Sequence, residues 1–180
     1  MGNILEITEL GDPVLREKAS GVENIHDDSI QNFIDDLIET GLHANGVGIA
    51  APQVNESKRI FIISSHPSVR YPNAPEMKPV AIINPEIIST SEELVKDWEG
   101  CLSIPGIRGM VPRHKSIHAR YFLRNGSTEE REFTGFIARI FQHEYDHING
   151  ILFPDRLESN KDLITEKEYR KIISAEDGKD

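Results

Sequence analysis

A chain of 180 residues with a formal net charge of -10, 20 Lys and Arg against 30 Asp and Glu, has the length of one globular domain with a full-sized core and lacks the clustered cations that nucleic-acid binding requires. It contains no apolar stretch near the length that spans a bilayer, and its single cysteine, Cys101, excludes an intrachain disulfide. Neither a nucleic-acid nor a membrane partner is expected.

Residues 1–180 are read as a single domain. The opening Met1-Gly2-Asn3-Ile4-Leu5-Glu6 lacks the basic start and apolar core of a secretory signal, and Glu6 breaks the myristoylation pattern, so a cytoplasmic location is expected. After a turn at Gly11-Asp12-Pro13, the spacing of Ile30, Phe33, Ile34, Leu37 and Ile38 predicts an amphipathic helix, with Asp28 and Gln31 as a capping box and Gly41 near its end. Asn45 to Val54 reads as a loop of small residues whose glycines permit close approaches. Arg59 to Ser64 reads as a buried strand, His66 to Pro79 as a Pro-rich surface loop, and Val80 to Ile83 as a further apolar run closed by Asn84-Pro85. Ser116 to Leu123 alternates like a strand, turns at Asn125-Gly126 and returns through Arg131 to Phe133.

The next helix carries the chemistry. Thr134 or Gly135 can start it and Asn149-Gly150 can end it, and within it runs Gln142-His143-Glu144-Tyr145-Asp146-His147. Histidines four apart share a helix face, so both imidazoles can hold one metal ion while Glu144 stays beside whatever the metal binds. Ordinary half-buried helix histidines are the bland alternative. Against it, the stripe Phe136, Ile140, His143, His147 changes from large apolar side chains to imidazoles, and two adjacent buried histidines without a shared ligand would be costly. A last short helix is expected over about 165–174, from Thr165-x-x-Glu168 with Tyr169, Ile172 and Ile173, followed by a disordered tail. The fold class expected is α+β, with antiparallel or mixed sheets packed around the central helix that carries the metal motif.

A catalytic metal needs about three protein ligands and an open position. The extended motif that ends in a third histidine fails here, because Phe153 stands in its place. Glu166 or Glu168, about twenty residues downstream, fits the spacing of a zinc endopeptidase. The remaining candidate is Cys101 in Trp98-Glu99-Gly100-Cys101-Leu102-Ser103-Ile104-Pro105-Gly106, a loop that can hold a thiolate, although a lone cysteine is most often a small buried hydrophobe.

Gly46-x-Gly48-x-Ala50-Ala51-x-Gln53, Glu99-Gly100-Cys101-Leu102-Ser103 and Gln142-His143-Glu144-x-Asp146-His147 resemble, in order, the three motifs of the peptide deformylases. The resemblance implies removal of the formyl group from the N-terminal formyl-methionine of nascent polypeptides. It implies Cys101, His143 and His147 as ligands of one divalent transition metal, Fe2+ by family habit with Zn2+, Ni2+ or Co2+ able to substitute, and water as the fourth ligand, acidified toward a pKa of about 7. Glu144 would move the proton, and the Gln53 amide and Leu102 N–H would meet the oxyanion. Val47, Gly48 and Gly100 would contact the peptide, with Phe136 and Ile140 beside the methionine, though a core role suits those two equally well. Arg108 matches a position that meets peptide carbonyls, against the plain reading of a solvated arginine, and Arg113 and Asp146 would pair behind the histidines. Transient proximity to the ribosome is implied by the substrate. The C-terminal segment, however, mixes Lys161, Lys167, Arg170 and Lys171 with acidic residues, unlike a basic docking helix. A zinc endopeptidase and a non-catalytic metal-binding domain are the rivals.

Overall fold

In the computed structural model, which describes residues 2–68, 71 and 73–177, the first amphipathic run is helix α1 (Asp28–His43). Ile30, Ile34 and Leu37 are buried and Phe33 and Ile38 half-buried, so the apolar stripe faces the core as its spacing requires. The cap differs from the expected box. Asp27 is the N-cap, its carboxylate accepting from the Ser29 N–H at 2.8 Å, while the Gln31 amide turns to the Ile25 and Arg124 carbonyls. The residue before the helix is free to take the extended backbone that a cap needs, which Asp28 inside the first turn is not. Gly41 lies in the last turn, near the end as expected, packed against Ile49, and Asn45 supplies the left-handed residue beyond the end.

The small-residue stretch that follows is not a loop throughout. Gly48–Ala50 is strand β1, and Ala51–Val54 forms a turn of 3-10 helix. Strand β2 (Ile60–Ser65) is buried along its whole length. Strand β3 (Met77–Thr90) runs through Asn84-Pro85 instead of stopping there: Asn84 takes a φ of 48°, the register shifts between Ile83 and Glu86, and the Asn84 amide exchanges two 2.8 Å hydrogen bonds with the Val22 backbone. The pair is a bulge, which absorbs the missing proline N–H. Strands β4 (Leu94–Cys101) and β5 (Ile104–His114) form a hairpin that the sequence pattern did not announce. β6 (Ser116–Phe122) and β7 (Thr128–Thr134) are joined through Asn125-Gly126, with Gly126 at φ 80°. Helix α2 (Gly135–His147), strand β8 (Leu163–Thr165) and helix α3 (Glu166–Asp177) complete the order; residues 178–180 of the expected tail lie outside the described residues.

The strands make two antiparallel sheets, one in the order β1-β2-β3-β6-β7 and one in the order β4-β5-β8. Helix α2 lies between them. Its apolar residues pack on the larger sheet, where Phe141 meets Phe61 edge-on at 5.1 Å and Phe133 at 5.0 Å. Its polar residues face the smaller one: Gln142 pairs with the His114 backbone, Asp146 with Arg113 and His143 with Glu99. A helix wedged between two sheets must be buried almost all round, which is why an imidazole face can share it with an aromatic one.

Gly150, just past α2, holds φ 73°, and a Cβ there would fall 2.5 Å from the Arg16 carbonyl oxygen. Gly150→Ala therefore meets both backbone strain and a clash with another segment. It is expected to lower stability by about 1–3 kcal/mol, seen as a fall of several degrees in thermal unfolding; an unchanged Tm would contradict the role given to this turn.

Candidate active site

The three candidate metal ligands come from α2 itself and from the hairpin that faces it. His143 and His147 sit one turn apart and are buried, with ring centroids 5.0 Å apart. Cys101 faces them from the last residue of β4, at the turn Leu102–Ser103, so it is carried by a strand end and not by a free loop. The Cys101, His143 and His147 ligand atoms all lie within 4.8 Å of one another, and Cys101 Sγ is 3.2 Å from His147 Nε2. Tetrahedral coordination with bonds of about 2.0–2.3 Å sets ligand atoms roughly 3.5 Å apart, so a small contraction brings these three onto one ion. No other cluster of His, Cys, Asp or Glu suited to a metal occurs among the described residues.

Behind these three side chains stands a charged layer. His143 Nδ1 is 2.9 Å from Glu99 Oε2, which turns its Nε2 edge toward Cys101 and His147. Burial opposes charge on Glu99, yet Arg113 and His143 outweigh it and hold the carboxyl well below the usual carboxylate range. Arg113 grips both Glu99 oxygens at 2.9 and 3.0 Å and reaches Asp146 at 2.5 Å, and Arg156 holds Asp146 from the outer side at 2.6 and 3.0 Å. The expected Arg113–Asp146 pair is thus part of a longer chain. Burial and the neighbouring His143 hold the His147 pKa well below the ordinary imidazole value, whereas for His143 burial is outweighed by hydrogen bonds to Cys101 and Glu99, which raise its pKa. Sequence reasoning gave Glu99 no task. The sequence held no signal for it, because this stretch reads as a loop and the pairing of β4 with β5 shifts register between Gly100 and Cys101.

Glu144 projects from α2 against β1. A Cβ on Gly48 would lie 2.4 Å from Glu144 Oε1, and Glu144 Oε2 is buried with no hydrogen-bond partner. Burial pushes its pKa up to about 7, the range in which a carboxyl can both take and return a proton. Gln53, in the 3-10 turn after β1, has its orientation fixed at both ends: Oε1 accepts from the Ala50 N–H at 2.9 Å, and Nε2 points at Ser103 Oγ (3.2 Å) and Cys101 Sγ (3.4 Å). Its amide donors therefore face the cysteine, with Leu102 in the adjacent turn. The donor set, the orphaned carboxylate oxygen and the oriented amide together fit a divalent metal hydrolase.

These groups open on a cleft of about 230 Å³ whose wall includes Val47, Gly48, Gly100, Leu102, Phe136 and Ile140. β1 ends the larger sheet. The Val47 carbonyl just before it accepts from the Ser64 N–H on β2, so by alternation the Gly48 N–H and C=O turn to the open edge. Phe136 is half-buried and Ile140 is buried in the main core, and both also line the cleft. Arg108 lines it too, but is not the solvated arginine of the plain reading. It is 2% exposed, lies across Gly100, stacks over the Tyr169 and Tyr71 rings at 4.7 and 5.3 Å, and donates to Glu166 at 2.6 Å and Tyr71 Oη at 2.8 Å. Tyr71 comes from the Pro-rich loop and packs on Phe136, which sets that part of the loop over the cleft; residues 69, 70 and 72 lie outside the described residues. Glu166 is thereby committed to Arg108 and Glu168 to Lys171, and Phe153 stacks on the His143 ring, so neither glutamate joins the histidines.

A family model described as polypeptide deformylase matches residues 4–162 of the chain. Peptide deformylase 2 of Nostoc sp. is 57% identical over 171 residues, covering 95% of this chain and 96% of that protein. Peptide deformylase 1 of Xanthomonas campestris pv. campestris is 42% identical over 156 residues, covering 87% and 91%. Among solved structures, the class I type b peptide deformylase of Acinetobacter baumannii with Met-Ala-Ser bound aligns with a TM-score of 0.85 at 43% identity, over 87% of this chain and all of that one (100%). Peptide deformylase from Thermotoga maritima aligns at 0.78 and 41%, over 87% and 99%.

Proposed function

The chain belongs to the polypeptide deformylase family, and we propose that Cys101, His143 and His147 hold its divalent metal, iron(II) in the cell, with zinc, nickel or cobalt able to replace it. The reaction it catalyses is hydrolysis of the formyl amide on the N-terminal formyl-methionine of newly made polypeptides, with release of formate. The observation that carries the residue assignment is the convergence of those three ligand atoms beside the partnerless carboxylate of Glu144. When bound, the ion polarises the formyl oxygen and brings the pKa of water toward neutrality.

The chain's own residues do the rest. Glu144 takes the proton of the attacking water; as the new C–O bond forms and the C–N bond breaks, it returns that proton to the departing amine, leaving formate and a free N-terminus. Gln53 Nε2 and the Leu102 N–H donate to the oxyanion. The open edge at Gly48, with Val47 and Gly100, receives the peptide as an added strand, while Phe136, Ile140 and Val47 take the methionine side chain. Arg108, held by Tyr71 and Glu166, borders the path of the following residues. Residues 1–180 act as one catalytic domain working in the cytoplasm, in transient proximity to the ribosome that supplies the substrate; no helix among the described residues is long and apolar enough to cross a membrane.

Gln53→Leu removes the amide donors while keeping most of the volume. It is expected to lower kcat by about 10²–10³-fold with KM and metal content little changed, and a kcat close to wild type would remove Gln53 from the oxyanion site. The whole assignment is tested by formate release from formyl-Met-Ala by anaerobically prepared protein, with metal measured on the same sample. Formate should rise with iron content. A full complement of metal without formate release would sink the assignment.

A further inference from the structure

Arg139 lies one turn before His143 on α2, and nothing in the reaction as assigned uses it. It is 7% exposed, and its guanidinium is held at three points: Nη1 donates to Glu99 Oε1 and to the Val111 carbonyl, both at 2.9 Å, and Nη2 donates to the Val95 carbonyl at 2.6 Å. Val95 is on β4 and Val111 on β5. One side chain thus ties the helix that carries His143 and His147 to both strands of the hairpin that carries Cys101. Burying a guanidinium is costly, and here the cost is offset by three acceptors, one of them the buried Glu99 carboxylate.

The charges identify the role of Arg139. Glu99 and Asp146 are two buried carboxylates that share one guanidinium, Arg113, and each has in addition one of its own, Arg139 for Glu99 and Arg156 for Asp146. Glu99 Oε1 accepts from Arg113 and Arg139, while Oε2 accepts from Arg113 and lies 2.9 Å from His143 Nδ1, so Arg139 is the cation that acts on the carboxylate from the helix side. We propose that Arg139 is a positioning residue for the metal centre, fixing the Glu99 carboxylate where it receives the His143 N–H and so setting how tightly the His143 imidazole and the Cys101 thiolate hold the ion. Without it, Glu99 shares its last cation with Asp146, and the hairpin loses a three-point tie to α2. The inference rests on the metal-site reading above.

Cobalt(II) is the probe, because its thiolate absorption band reports the bond to Cys101 and its dissociation constant can be measured by chelator competition on metal-free protein. R139M keeps an aliphatic stem without charge, and R139K keeps the charge without the planar fork. R139M is expected to bind Co2+ about tenfold more weakly or worse, with an altered thiolate band, and R139K to fall between it and wild type. A folded R139M with the wild-type Co2+ constant and band, whatever its Tm, would make Arg139 a structural tie alone and overturn the proposal. Should R139M fail to fold, R139K decides: weakened Co2+ binding supports the proposal and wild-type binding overturns it. Wild-type protein that takes up no Co2+ would sink the metal-site reading itself, and this inference with it.

Discussion

Glu144→Gln is expected to give a folded protein that keeps its metal and loses kcat on formyl-Met-Ala by about 10²–10⁴-fold, the range that a positioned proton-transfer group supplies. Glutamine has nearly the shape of glutamate, and the place it would fill, pressed against Gly48 and shielded from water, favours a neutral group over a charged one. Packing and the three ligands are therefore undisturbed, and the loss must appear in turnover with KM within a few-fold of wild type. The measurement is formate release across substrate concentrations, beside metal content and thermal unfolding. A kcat within tenfold of wild type would take the proton-transfer role away from Glu144 and revive the reading of a non-catalytic metal domain.

Cys101→Ser should empty the site. A serine hydroxyl does not ionise near neutral pH, so one of three protein ligands is lost, and the penalty should exceed the 10–100-fold that changes in outer partners typically cost. Metal retained after dialysis and formate release should fall together. Glu168→Ala, by contrast, should leave both unaltered, and Glu166→Ala should keep the metal although it frees Arg108 from its closest partner. Full metal in Cys101→Ser together with loss of metal in either glutamate variant would reinstate the endopeptidase arrangement.

Where the sequence was informative, the reason is periodicity. α1, β2, β6 and α2 each bury one face or a whole run, and apolar spacing reports burial directly, whereas β7, exposed except at Phe133, was legible from the Asn125-Gly126 turn. The β4–β5 hairpin escaped because β4 is the edge of its sheet and its first residues, Leu94 to Asp97, are exposed, so no alternation marks them. Asn84-Pro85 looked like a strand end because a bulge and a turn use the same residue types; only the pairing of β3 with β6 separates them. In the site, the two histidines and Glu144 are local in sequence and legible from helix geometry, while the choice of Cys101 over Glu166 needed the resemblance of three separated motifs. Of the layer behind them, the resemblance offered only the Arg113–Asp146 pair. Glu99, Arg113, Arg139 and Asp146 come from three elements, and which cation neutralises which carboxylate is decided by tertiary packing alone. Arg108 shows the same limit, since its burial depends on Tyr71, Glu166 and Tyr169 arriving from a loop and a distant helix.

The crowding between Gly48 and Glu144 bears on how this enzyme can vary. The narrow space over Gly48 is already taken by the carboxylate, so a methyl group added there collides with Glu144 before any substrate arrives. Selection at this position is then set by chemistry within the resting protein and not by the shape of the peptide. A lineage could change the side chains that the cleft prefers by altering Val47, Phe136 or Ile140 while position 48 stays closed to change.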